Sequence, residues 1–281
     1  MLGDLHCHST FSDGSVPIAK LPPMAARLGL SHLAVSDHDS ILSVRYAYQN
    51  PTQNGIQLIP ATELSAYDFE RNHRAHLLCF WPDDCEALHQ QCSRMQQRRN
   101  NACLQSAKEL EHIYPQFCTE MALEYAKDSG TLYKSGIMQA LCELGLADGI
   151  YGERYLQLFH SKTGKVFHAP GYDTVADVLQ IARDCRAVII FAHPSVYKSM
   201  PLVRQLAAEG LIDGIEVEHP RNTEEDKEEC RELCRKYGLI ATGGTDFHGS
   251  NTKHPRPLAS CTTTEEQLLQ LQALAMQRKK G

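Results

Sequence analysis

The sequence predicts an α/β barrel that carries a small helical insertion. Three observations predict it. Short apolar runs alternate with longer stretches of helical spacing, the pattern of a parallel sheet wrapped by helices. That rhythm breaks once, for about a hundred residues, where a single crossover unit needs only about 30. The length of 281 residues matches one barrel of about 250 residues plus such an insertion.

Seven runs read as strands: Gly3 to His8, His32 to Ser36, Gln57 to Thr62, His76 to Trp81, Ala187 to Ala192, Gly214 to Glu218 and Leu239 to Gly243. Helical stretches between them carry recognisable stops and starts. Val16 to Leu28 ends at Gly29, Thr174 to Cys185 begins behind Asp173, Pro201 to Glu209 ends at Gly210, and Thr223 to Tyr237 ends at Gly238. The break holds three more helical patterns, Asp84 to Leu110, Thr119 to Lys127 and Ser135 to Leu144, then glycines at 145, 149, 152 and 164. Residues 1–95 and 169–281 are therefore expected to form the barrel, and 96–168 a helical cap over its mouth. Nothing favours hairpins over crossovers.

Composition excludes several functions. With 28 basic and 34 acidic side chains the formal charge is −6, and no basic block stands out apart from Arg98-Arg99 and Lys279-Lys280. A broad footprint for duplex nucleic acid is not expected. No run of about 18 apolar residues is present and the first residues carry no signal core, so neither membrane spanning nor export is expected. The 11 cysteines are odd in number, scattered and mostly within apolar runs, as in a cytoplasmic protein with reduced thiols. Cys230 and Cys234 share a charged helix face and no CxxC pair occurs, so a zinc-thiolate site is not expected.

The chemistry sits where strands end, the face on which parallel barrels build their sites. The first strand ends in His6-Cys7-His8. Side chains two apart on a strand share a face, so both imidazoles can serve one ion. The second strand runs into Asp37-His38-Asp39, the third into Glu63, the fourth begins at His76, the fifth ends at His193, and the seventh leads into Asp246-Phe247-His248. Such a set of buried charge is costly without cations to neutralise it. Imidazole with carboxylate and no thiolate suits Mn, Zn or Fe(II). Six histidines and at least three carboxylates exceed what one ion takes, which implies two or three.

The stretches His6-Cys7-His8-Ser9-Thr10-Phe11-Ser12-Asp13-Gly14, Ser36-Asp37-His38-Asp39, Glu63, His76, Ala192-His193-Pro194 and Gly244-Thr245-Asp246-Phe247-His248-Gly249 resemble, in order, the motifs of the PHP (polymerase and histidinol phosphatase) family. The resemblance covers residues 1 to 82 and 170 to 260. It implies a distorted (β/α)7 TIM-like barrel with up to three divalent metals. Carried onto matching positions, it implies one metal on His6, His8, Glu63 and Asp246, a second on Glu63, His76 and His193, and a third on Asp13, His38 and His248. His73 rivals His76, but it follows the polar turn Glu70-Arg71-Asn72 and falls outside the expected strand.

Clustered divalent ions activate water and clamp phosphate oxygens, so hydrolysis of a phosphate ester by a metal-bound hydroxide is the expected reaction. Cys7 faces away from its neighbours and reads as a core thiol. Asp37 and Asp39 are candidates to protonate the leaving group. The insertion resembles the cap of a subgroup containing nucleoside 3',5'-bisphosphate phosphatases, short-RNA 5'-to-3' exonucleases and a cyclic-phosphate hydrolase. Gly164-Lys165-Val166-Phe167-His168-Ala169-Pro170 matches the Gly-Lys-x-x-x-x-Pro stretch that closes it. Where those relatives commonly carry an Arg and, two residues on, a His for substrate phosphate, this chain has Lys134 and Gly136. Lys134, Arg98, Arg99, His219 and Arg221 are the candidate substrate contacts.

The expected partner is a small phosphorylated metabolite or nucleotide. Tracking a nucleic-acid strand needs a basic groove and stacking platforms, whereas the cap's aromatics alternate with acids such as Glu120 and Glu124. An exonuclease acting on short oligoribonucleotides is the alternative. An amidohydrolase also opens with HxH, but commonly uses a bridging lysine where this chain offers Glu63.

Overall fold

The computed structural model describes residues 1–280. Its strands are β1 (Leu2–Cys7), β2 (His32–Val35), β3 (Thr52–Gln53), β4 (Ile56–Asp68), β5 (His73–Phe80), β6 (Val188–Phe191), β7 (Gly214–Glu218), β8 (Ile240–Gly243) and β9 (Thr263–Thr264). They form one sheet in the order β8-β7-β6-β5-β4-β2-β1-β9, with β3 paired to β4. The sheet curls into a nearly closed barrel. Its seam is made by backbone bonds from Asp246 N to the His6 carbonyl (2.7 Å) and from His8 N to the Phe247 carbonyl (2.8 Å). Thr263 of β9 stitches the same seam, exchanging hydrogen bonds with the Gly243 backbone.

The helices are α1 (Leu21–Arg27), α2 (Leu42–Gln49), α3 (Glu86–Ile113), α4 (Thr119–Leu123), α5 (Lys134–Glu143), α6 (Glu153–Phe159), α7 (Val175–Asp184), α8 (Met200–Ala208), α9 (Glu224–Tyr237) and α10 (Glu265–Lys280). The alternating barrel is as expected, with one correction. β5 runs antiparallel to both β4 and β6, so the sheet is mixed and contains a hairpin. Only four residues, 69–72, join β4 to β5. A parallel return needs a dozen or more. Asn72, at φ 58°, takes the left-handed conformation that asparagine tolerates in tight turns. His73 therefore lies within β5, opposite Asp68 at the turn end of the hairpin.

Inside the barrel, Leu5, Ala34, Ile59, Leu78, Val188 and Ile190 form a core that α10 covers with Leu268, Leu271 and Ala275. The sequence reading passed over α2, α6 and α10. In α10 the apolar residues spread around much of the helix, so no single stripe marks the buried face. The long α3 belongs to two cores. Its first half buries Leu88 and Cys92 with the helices outside the barrel, and its second half buries Cys103, Ala107 and Leu110 with Phe117, Ile137 and Val166. That second core lies wholly within residues 96–168. Among the described residues no helix is long and apolar enough to cross a membrane.

Candidate metal centre

The barrel mouth gathers all nine sequence-predicted ligand positions. Glu63 is at their centre and fully buried. Its Oε1 lies 2.7 Å from His76 Nδ1 and 2.8 Å from His193 Nε2. Its Oε2 lies 3.1 Å from His6 Nε2, 3.2 Å from His8 Nε2 and 3.0 Å from His38 Nδ1. Asp246 Oδ1 stands 3.6 Å from His6 Nε2 and 3.3 Å from His8 Nε2. Asp13 Oδ1 is 3.2 Å from His248 Nε2 and 4.0 Å from His38 Nε2. His73 takes no part.

Local backbone geometry explains the convergence. A Cβ on Gly14 would sit 2.4 Å from the His8 carbonyl oxygen, and one on Gly244 would sit 2.3 Å from the His6 Cβ. Only glycine lets these two loops close over the HxH strand. His193, Asp246 and Asp39 adopt positive φ angles of 28°, 53° and 46°, conformations that non-glycine residues hold only when the surroundings enforce them.

The donor set fits divalent cations. His6 Nδ1 donates to Glu216 Oε1 at 2.9 Å and His248 Nδ1 to the Asp246 carbonyl at 2.9 Å. Each ring thereby turns its Nε2 lone pair toward the carboxylates, as ligating imidazoles do. Asp13 Oδ1, His38 Nδ1 and His193 Nδ1 are buried without a hydrogen-bond partner, which is unusual for buried polar atoms. Burial opposes charge on Glu63, yet His38, His6 and His76 hold its pKa well below the usual range. Burial likewise opposes ionised Asp13, which His248 and His38 hold far down. Burial also resists the His8 imidazolium, but Asp246 and Glu63 push its pKa up to about 10. In His76 burial wins and lowers the pKa to about 4. Glu63 and Asp13 are thus favoured as carboxylates, the form in which they can ligate a metal ion.

Asp13, His38, His76, His193, Asp246 and His248 line the floor of a cavity of about 800 Å³, with His6, His8 and Glu63 buried beneath them, and its far wall comes from residues of the 96–168 segment. Lys134, Arg99 and Arg221 line it as expected. Burial depresses the Lys134 amine to about 8, and its Nζ lies 4.3 Å from the centre of the Phe167 ring. Four expectations are corrected. Asp37 is fully buried and accepts from Ser9 N, Ser9 Oγ and Ser12 Oγ at 2.8, 2.7 and 2.6 Å. Its carboxylate anchors the loop after β1 and does not reach the cavity. Asp39 is likewise enclosed, tied to Ser65 N (2.9 Å) and to the Arg99 guanidinium (2.6 Å), and does not line the cavity. Arg98 turns away to Asp173 at 2.9 Å. His219 lies buried behind Asp246, its Nε2 3.4 Å from Asp246 Oδ2, and does not line the cavity.

Sequence reasoning missed Arg74, which lines the cavity with its guanidinium 5.7 and 5.8 Å from the ring centres of Tyr172 and Tyr197. The signal was present, since Arg74 lies two residues before His76 on β5 and shares its face. Also unassigned were Glu216, which accepts from the His193 amide at 2.8 Å as well as from His6, and Arg256, whose guanidinium pairs with Asp246.

A barrel with this mouth defines a metal-dependent phosphoesterase, and the comparisons with known proteins agree. The model of the PHP domain matches residues 4–167. The chain is 33% identical over 257 residues, 91% of its own length and 97% of the relative's, to the phosphoribosyl 1,2-cyclic phosphate 1,2-diphosphodiesterase of Eggerthella lenta. It is 28% identical to the 5'-3' exoribonuclease Rnm of Escherichia coli, covering 87% of this chain and 84% of that one. Among solved structures, a protein from Bifidobacterium adolescentis described as a candidate metal-dependent phosphoesterase superimposes with a TM-score of 0.87 at 24% identity, covering 97% of this chain and 96% of that one. This chain belongs to the PHP domain family, and it is a metal-dependent phosphoric ester hydrolase.

Proposed function

We propose that the chain hydrolyses a phosphate ester of a small phosphorylated metabolite or nucleotide, monoester or cyclic diester, held between the metal centre and the cap formed by residues 96–168. Two or three divalent ions, manganese foremost, are held by His6, His8, Asp13, His38, Glu63, His76, His193, Asp246 and His248. The observation that carries this reading is the opposition of charges across one cavity. Three carboxylates and six imidazoles gather at and beneath its floor in overlapping groups whose ligand atoms lie within 4.8 Å of one another, while Arg74 and Lys134 face it from the wall with aromatic rings and no carboxylate beside them.

Divalent ions in such a cluster bring the pKa of water toward neutrality and clamp the non-bridging oxygens of a phosphate. Every other step falls to the chain's own residues. Glu63 ties the two halves of the cluster together through its separate oxygens. Glu216 fixes the orientation of His6 and the backbone of His193. Lys134 and Arg74 hold the part of the substrate that does not react, and the cap keeps bulk water from it. A net charge of −6 and a cavity of about 800 Å³ favour a small substrate over a nucleic-acid track. Unpaired cysteines throughout suit work in the reducing cytoplasm.

The test is phosphate release by Mn-loaded protein from nucleoside bisphosphates, sugar phosphates, cyclic phosphates and short 5'-phosphorylated RNA. The expected result is the highest kcat/KM on a small substrate, with weak salt dependence. An efficiency on RNA of ten or more nucleotides that exceeds every small substrate, and that falls steeply with salt, overturns the choice in favour of an exonuclease.

A further inference from the structure

The cap hydrogen-bonds to the dipeptide His38-Asp39 at the edge of the metal centre. Asp39 is bonded at every polar atom. Its amide donates to the Glu63 carbonyl (2.9 Å), Oδ1 accepts from Ser65 N, Oδ2 from Arg99 (2.6 Å), and its carbonyl from Gln96 Nε2 (3.2 Å). Arg99 and Gln96 stand one turn apart on α3. From the start of α5, the Tyr133 hydroxyl donates to the His38 carbonyl at 3.2 Å. The Arg99 guanidinium lies 5.5 Å from the Tyr133 ring centre and also donates to Ser65 Oγ at 2.6 Å, two residues past Glu63. Asp39 holds its positive φ of 46° inside this net of bonds, and the imidazole beside it points at Asp13 and Glu63.

We infer that Arg99 and Tyr133 are positioning residues for His38, so that docking of the cap completes the part of the metal centre made by Asp13, His38 and His248. The inference rests on the metal-ligand reading above. Its physical basis is the left-handed backbone at Asp39. Without an ion-paired carboxylate to pin it, this residue relaxes toward negative φ, which turns the His38 ring away from Asp13. Loss of groups that orient metal ligands weakens metal binding by about 10- to 100-fold. Because Arg99 and Lys134 line the same cavity, with Lys134 next to Tyr133 in the chain, a substrate gripped by the cap favours the arrangement that completes this subsite.

The experiment is equilibrium dialysis of the full chain against Mn with elemental analysis, beside the melting temperature of the metal-free protein. Arg99→Met is expected to weaken the least tightly held Mn equivalent by about tenfold or more while leaving the remainder bound. Arg99→Lys, which keeps the charge, is expected to recover part of the loss, and Tyr133→Phe to show a smaller one. Lys134→Ala lines the same cavity without touching His38 and is expected to keep the parent's complement. If Arg99→Met binds Mn as the parent does, the coupling is wrong. If it loses every equivalent in parallel with its melting temperature, Arg99 serves the fold and not His38, and the inference is again overturned. A parent that binds no Mn refutes the metal-ligand reading itself.

Discussion

The floor and the wall of the cavity are built on opposite electrostatic plans. On the floor, carboxylates and imidazoles crowd together, with oxygens and ring nitrogens 2.8 to 3.3 Å apart in pairs such as Glu63–His193 and Asp246–His8. On the wall, Arg74 and Lys134 rest on aromatic rings, partly desolvated and free of carboxylates. Charges are normally buried in pairs. Here the pairing is left to what enters, cations below and an anion between. The floor is carried on strand ends and on backbone held at positive φ, whereas the wall joins a barrel strand to the insertion, Arg74 standing on β5 and Lys134 on α5 of the second core.

The largest effects are expected from breaking the floor. Chelator treatment should abolish phosphate release and Mn should restore it. Full activity in protein shown by elemental analysis to be metal-free contradicts the account. Asp13→Ala should be milder, because Asp13 touches only His248 and His38. It should remove about one metal equivalent and slow turnover by about a hundredfold, the scale of losing an electrostatic clamp. Unchanged metal content and rate would show that Asp13 is no ligand.

The smallest effect belongs to the wall. Lys134→Ala should raise KM for a doubly phosphorylated substrate by about tenfold, with little change for a singly phosphorylated one. The amine is depressed to about 8 by burial, with Arg74 and Arg99 adding repulsion. An amine carries charge below its pKa, so the parent's KM for the doubly phosphorylated substrate should rise between pH 7 and 9, a range in which phosphate stays dianionic. In Lys134→Ala that rise should vanish. A rise of equal size in the variant would assign the titration to another group.

The same contrast explains what the sequence disclosed. The floor was legible because strand geometry is local: residues two apart share a face, and loops after parallel strands meet at one end. His6 with His8 and Asp246 with His248 announce themselves in this way. The wall depends on which way a side chain turns. Arg98 and Arg99 are adjacent on α3, about 100° apart around the helix, so one pairs with Asp173 while the other reaches Asp39 and the cavity. Asp37 and Asp39 lie near the mouth in sequence, yet three serine donors absorb the first and Arg99 the second. Strand direction was hidden too. Nothing in the run His76 to Trp81 states that it returns antiparallel, and the four-residue turn before it held that information.

The most direct test of the account is anomalous diffraction at the manganese edge from crystals grown with saturating Mn. The account predicts two or three peaks among the nine side chains, with Glu63 between them and ligand distances of about 2.0 to 2.4 Å. No peak at this mouth, or peaks bound to other residues, would contradict it.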